Sequence, residues 1–137
     1  MWIEPKTDWT AQDIYNIDVD LTRLEGNIHE VLLLAQAAGY GISLSEKTTW
    51  SRTDFLTAAQ LGRIVNNLKQ LETVISVPDG LPELPVVYDQ MPFTSDIANA
   101  LEIHILALKQ VADGIEGLYI PCGTMQSGSR PLLPFNR

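Results

Sequence analysis

The chain has 137 residues, enough for one ordinary domain with a real core, and it carries 17 acidic against nine basic side chains for a net charge of −8. That balance repels phosphate backbones and anionic lipid, so neither nucleic acid nor a membrane surface is an expected partner. Cys122 is the single cysteine, which rules out an internal disulfide and a thiolate metal cage, and the opening "MWIEPKTDW" lacks the basic and apolar layout of a signal peptide.

In chain order, the first feature is a sentence written twice. "TDWTAQDIYNIDVDLTRLEGNIHEV" begins at Thr7 and "TTWSRTDFLTAAQLGRIVNNLKQL" begins at Thr48. Both hold a Trp, an Asp four residues on, and then a Leu-x-Arg-[Leu/Ile]-x-x-Asn run. The signature residues are Trp9, Asp13, Arg23 and Asn27 in the first copy and Trp50, Asp54, Arg63 and Asn67 in the second. In each, a [Ser/Thr]-x-x-Asp pattern (Thr10 to Asp13, Ser51 to Asp54) is suited to cap a single turn.

Three segments then show helical periodicity. Leu21, Leu24, Ile28, Val31, Ala35 and Ala38 alternate three and four apart. Leu61, Ile64, Leu68, Leu71 and Ile75 do the same, as do Ala98, Leu101, Ile105, Leu108, Ala112 and Ile115. The spacing predicts helices near 17–38, 58–76 and 95–115. Asn16, Thr57 and Thr94 are the expected caps, Thr57 in a capping box with Gln60 reaching back. Gly39 and Gly41, the Pro78–Pro85 stretch, and Gly114 with Gly117 are the expected stops.

The fold class that follows is an all-α small bundle with repeats near 7–38, 48–76 and 91–115. The seams can close in two ways, as an antiparallel bundle within one chain or by pairing with copies in a symmetric trimer. The apolarity of "VLLLAQAA" and "IHILAL" suggests surplus surface, so a homo-oligomer is expected, with a trimer favoured. The third repeat puts Ala100 where the others have Arg and His104 where they have Asn, and it lacks the Trp turn. The turn and the Arg therefore read as one structural unit. An ion pair from Asp13 to Arg23 and an equivalent one from Asp54 to Arg63, each shielded by the Trp, are the expected contacts. The rival is that each Arg faces solvent or another subunit.

With those residues in view, "WIEPKTDWTAQDIYNIDVDLTRLEGNI" resembles the N-terminal region of tail-associated structural proteins from phages and prophages of Gram-positive bacteria. Many of these carry Trp-x-x-x-Asp followed by Asn-Arg-[Ile/Leu]-Glu-x-Asn. Here Thr22 stands where such proteins often have Asn, while Arg23, Leu24, Glu25, Asn27 and Ile28 fit the pattern. The second copy keeps Arg63, Ile64, Asn66 and Asn67 but has Val65 in place of the Glu. The resemblance covers roughly residues 2–75, with 91–110 looser. It implies a virion structural or assembly component near the tail, baseplate or fibre, assembled in the host bacterial cytoplasm, with other virion or tail subunits as partners and no catalytic residues to transfer.

The last stretch, from Gly117 to Arg137, has three prolines and no acidic residue. A disordered end is one reading. Its apolar residues favour a docking arm over 117–137, extended and weakly basic, built on Leu118, Tyr119, Ile120, Arg130, Leu132, Leu133, Phe135 and Arg137 and packed on an acidic neighbouring subunit. Elsewhere candidate chemistry is thin. His29 and His104, with Glu25, Glu30 and Glu102 nearby in sequence, would supply a metal site only if the first and third helices brought them together. Each His lies beside an apolar seam position, so no metal and no cofactor is expected. Ser127-Gly-Ser129 lacks nucleophile-elbow context, Cys122 lacks a basic activator, and no Gly-rich phosphate loop opens a helix. The expectation is a non-enzymatic structural subunit; the alternative is a small cytosolic acidic helical adaptor or regulator.

Overall fold

The structure is a computed structural model that describes residues 2–118, and the side chains of residues 2–114. Helix α1 spans Thr22–Ala37, α2 Ala58–Val74 and α3 Ser95–Leu118, and a π-helical turn, Ile17–Leu21, leads into α1. There is no strand among the described residues.

The local signals account for most of these ends. The Thr57 hydroxyl accepts the Gln60 amide, and the Thr94 hydroxyl accepts the Ile97 amide at 3.3 Å, so α2 and α3 start at their expected caps. The capping box is half closed, because Gln60 turns its amide oxygen to Arg63 Nε at 3.0 Å instead of reaching back to Thr57. Asn16 makes no side-chain cap. Asp20 supplies the reach-back half of a capping box instead, its carboxylate accepting the Asn16 amide at 2.7 Å. At the other end of α1, Gly39 sits at φ 100°. The Tyr40 amide reaches the Ala35 carbonyl and the Gly39 amide that of Gln36, a Schellman closure that needs a residue free of Cβ strain. Gly114 and Gly117 do not stop α3, which runs on to Leu118; a helical Gly costs only about 1 kcal/mol, less than a long apolar seam returns. Leu118, placed by sequence in the arm, is thus the last residue of α3.

The three seams face one another. Leu21, Leu24, Ile28, Val31 and Ala35 of the first repeat, Leu61, Ile64, Leu68, Leu71 and Ile75 of the second, and Ala98, Leu101, Ile105, Leu108 and Ala112 of the third are all buried. The helices run parallel. Side chains from the first turns of α1 and α2 reach the early turns of their neighbours, Arg23 to Glu102 and Arg63 to Glu25. At the opposite end Ala35, Ala38, Ile75 and Ala112 line one small cavity. The seams close within a single chain, as a parallel and not an antiparallel bundle, with pseudo-three-fold symmetry. The length of the connections permits this course. Residues 38–57 and 75–94 each leave enough chain to return along a 16-residue helix, about 24 Å long, whereas antiparallel neighbours need only a short loop.

The returning segments lie in the grooves between helices, held by one polar side chain per helix at the same repeat position. Asn27 takes the Ile3 amide at 2.9 Å and gives to its carbonyl at 2.7 Å, Asn67 gives to the Ser45 carbonyl at 2.7 Å, and His104 Nε2 lies 2.6 Å from the Pro82 carbonyl. An extended segment on a helical bundle has no ladder to satisfy its backbone, and these side chains supply the missing partners.

Candidate functional site: two buried Trp–Glu–Arg clusters

The signature residues converge, but on partners that the linear repeats conceal. Glu25, 2% exposed on α1, receives Arg63 of α2 through Nη1 to Oε1 at 2.7 Å and Nη2 to Oε2 at 2.6 Å. The Trp50 indole donates to the same carboxylate at 2.8 Å, and the Lys47 amide completes it at 3.3 Å. The Trp50 amide donates to the Thr22 hydroxyl at 3.1 Å, which fixes the incoming segment over the cluster. Lys47 Nζ stands 4.9 Å from the centre of the Trp50 ring.

The second cluster repeats the first around the axis. Glu102 of α3, 0% exposed, receives Arg23 of α1 through Nε at 3.1 Å and through Nη2, and the Trp9 indole donates to it at 3.0 Å. Asn99 does the work of Thr22 and does it twice, accepting the Trp9 amide at 2.7 Å and giving to the Trp9 carbonyl at 3.0 Å. Arg23 has a further carboxylate, Asp20, at 2.8 Å. Burial opposes the charge on Arg23, and hydrogen bonding and attraction from Glu102 and then Asp20 outweigh it, so its pKa is held above the ordinary value. Lys6 Nζ lies 5.1 Å from the Trp9 ring centre, as Lys47 does over Trp50.

The expected ion pairs from Asp13 to Arg23 and from Asp54 to Arg63 are not formed. Each Asp is consumed by its own turn: Asp13 accepts the Thr10 amide and Asp54 the Ser51 amide, both at 2.8 Å. The neighbouring cations are Lys6 at 3.7 Å from Asp13 and Lys47 at 3.4 Å from Asp54. The Ser51 N–H is the main reason that the Asp54 pKa lies below the ordinary carboxylate value. A side chain tied to an N–H three residues back cannot also reach a guanidinium on the next helix, and the two Arg find buried carboxylates on the neighbouring helix instead.

Helix α1 thus donates its Glu to α2, and α3 donates its Glu to α1. The third interface, between α2 and α3, lacks every member of the set: Val65 stands for the Glu, Ala100 for the Arg, Gly62 for Thr22 or Asn99, and Val87 for the Trp. Its turn survives without the Asp. The Met91 amide bonds the Tyr88 carbonyl at 3.2 Å, as Asp13 does to Thr10 and Asp54 to Ser51, and Met91 Sδ takes the Tyr88 amide at 3.4 Å where a carboxylate stands in the other two.

Glu25 accepts from four donors and Glu102 from three, and both are sealed from solvent. Tyr15, packed at a tilt between Trp9 and Phe93 with ring centres 4.9 and 4.7 Å away, has a hydroxyl without a hydrogen-bond partner; burial first, then the charge of Glu102, raises its pKa far above the ordinary value and keeps it neutral. The histidines do not meet. His29 lies 2.6 Å from Glu46, while His104 Nδ1 lies 2.6 Å from Glu72. No group of three or more His, Cys, Asp or Glu among the described residues is disposed to hold a metal ion. Cys122, Ser127 and Ser129 and the arm residues Tyr119, Ile120, Arg130, Leu132, Leu133, Phe135 and Arg137 lie outside the described residues.

These features define a class: a single-chain parallel three-helix bundle of three repeats, locked at two of its three interfaces by a buried Trp–Glu–Arg cluster. No family model, curated protein or solved structure matches the chain.

Proposed function

We propose that this protein is a non-enzymatic structural or assembly subunit of a phage or phage-like particle, in the tail, baseplate or fibre region, and that it acts through protein–protein contacts with other virion subunits. The observation that carries the reading is the use to which the repeat signature is put. Trp9, Arg23, Asn27, Trp50, Arg63 and Asn67, which carry the resemblance to phage tail proteins, are spent on internal architecture. They give a small domain a rigid frame, which suits a part that must hold its shape inside a larger assembly.

The surface adds support. Ile14 and Phe55, at equivalent positions directly after the turns following Trp9 and Trp50, are 79% and 81% exposed. Large apolar side chains held out at symmetry-related places are what a partner interface uses. With the seams closed inside one chain, homo-oligomerisation would use this face and not the helix seams. No helix among the described residues is long and apolar enough to cross a membrane.

The test is to purify particles produced from the genome that carries this gene and to quantify the protein in them by mass spectrometry. A fixed copy number per particle, with defective tails when the gene is deleted, is the expected result. A protein that stays wholly in the particle-free lysate, with particles of normal composition after deletion, would overturn the proposal.

A further inference from the structure

The missing third cluster leaves a mark on the surface. Where Trp50 and Trp9 fill their grooves, Val87 is too small, and a groove of about 210 Å³ remains between α2 and the connection that precedes α3. Gly62, Val65 and Lys69 line its inner side and Pro85, Val86 and Val87 its outer side. An apolar cavity of about 150 Å³ holds a benzene ring, so one aromatic side chain fits the space. The connection has changed its outer face as well. Val86, 84% exposed, stands where the other two connections have Asp8 and Thr49, and Tyr88, 59% exposed, where they have Thr10 and Ser51. Polar residues have given way to large apolar ones at two exposed positions beside the groove, which is how a contact surface differs from a solvated one.

A knob of matching chemistry stands elsewhere on the same chain. Phe55 is 81% exposed, the most exposed aromatic among the described residues, and it lies outside its own chain's groove. It sits between two closed local structures, the Ser51–Asp54 turn and the Thr57 cap of α2, so it is held out in place and loses little freedom on docking. Its ring has no donor group. With Val65 in place of the Glu, the groove offers no carboxylate for an indole N–H, and a donorless ring is the one that fits. We infer that Phe55 of one copy of this chain seats in the groove of a second copy.

Charge selects this knob over the other one. The connection that forms the outer wall, residues 75–94, carries Asp79, Glu83 and Asp89, all exposed, and no Lys or Arg. Beside Phe55 is Arg52, exposed and in no ion pair among the described residues, while Asp54 is held by Lys47 and the Ser51 amide. Ile14, the equivalent knob of the first repeat, has only acids around it, with Asp13 and Asp18 near and no Lys or Arg in residues 7–22. Lys69 is the one basic group lining the groove, so the knob enters with Arg52 toward the acidic connection. Knob and seat are different patches of one chain, which makes the contact heterologous: each copy gives its Phe55 to one neighbour and its groove to another. The inference goes beyond the particle assignment and does not rest on it, so a chain that fails to self-associate would sink the one and leave the other standing.

The experiment is sedimentation equilibrium on the full chain under reducing conditions, from micromolar to millimolar concentration. The mass is expected to rise with concentration. Phe55→Asp and Val86→Asp, both at exposed positions and checked for an unchanged far-UV circular dichroism spectrum, should each weaken association by about tenfold or more. Mixed together, the two variants should form a one-to-one dimer and nothing larger, because the first keeps its seat and the second keeps its knob. Ile14→Asp should associate as the unaltered chain does. A monomer at every concentration would overturn the inference, whatever else fills the groove. So would variants that associate as before, a mixture that stays monomeric while the unaltered chain assembles, or an Ile14→Asp chain as impaired as Phe55→Asp.

Discussion

Glu25→Val and Arg63→Ala form a double-mutant cycle across the first cluster, and the third interface says how it should come out. Removing Glu25 alone leaves a guanidinium that is 17% exposed with only the Gln60 and Ser45 oxygens; removing Arg63 alone leaves a carboxylate that is 2% exposed with only the Trp50 and Lys47 N–H groups. Breaking a buried pair by deleting one partner costs about 3 to 5 kcal/mol, whereas replacing the pair by apolar groups is often close to neutral. Val65 and Ala100 are that replacement, already present between α2 and α3. Each single variant should therefore lose about 3 to 5 kcal/mol, and the double variant should lose less than the sum by 1.5 kcal/mol or more, a coupling of the size that contacting residues show. Urea unfolding followed by far-UV circular dichroism reads all four corners. Additivity to within about 0.5 kcal/mol would show that Glu25 and Arg63 do not act as a pair and would refute the reasoning.

Leu24→Ala, Leu68→Ala and Leu101→Ala, each at a position 0% exposed, should each cost about 2 to 5 kcal/mol in the same unfolding experiment, with similar losses because the three occupy equivalent seams. Trp50→Phe keeps the ring but deletes the donor to Glu25, and a loss of about 1 to 3 kcal/mol is expected, larger than for the same change at Trp2. Gly39→Ala should lower stability by about 1 to 2 kcal/mol, because φ 100° puts a Cβ into left-handed strain; a neutral result by thermal melting would argue against the Schellman closure. Asp54 has a pKa below 3.8, chiefly through the Ser51 amide, so the bond it makes is present above that value and is lost as pH falls through the lowered one. The Ser51 amide proton shift should accordingly titrate with a midpoint below 3.8, and a midpoint above it would contradict the capped turn.

Helical periodicity made the three helices and their buried seams legible, and local chemistry made the caps at Thr57 and Thr94 and the stop at Gly39 legible. At Asn16 the spacing marks the helix entry, but the side-chain bond there is made by Asp20, one turn on, to the Asn16 amide. The direction of the bundle was hidden because helix spacing does not encode orientation, and connections of 20 residues are compatible with either course. The partners of Arg23 and Arg63 were missed because resemblance between repeats invites contacts within a repeat, whereas a cyclic bundle puts each contact between one repeat and the next. A signal was present. The second repeat loses its Glu at Val65 while keeping Arg63, and the third loses its Arg at Ala100 while keeping Glu102. Partners within one repeat would be lost together, and these are lost in the staggered order that a ring requires. The third turn escaped notice because Met91 and Val87 replace the Asp and Trp that announce the other two.

The indole N–H signals of Trp9 and Trp50 test the ring of contacts most directly. In a ¹⁵N-labelled chain, Glu25→Gln should move the Trp50 indole signal and leave that of Trp9 in place, and Glu102→Gln should do the reverse, while Asp13→Asn and Asp54→Asn leave both indole bonds intact. A Trp9 signal that follows Glu25, the carboxylate of its own repeat, or indole signals that respond to neither Glu, would contradict the account.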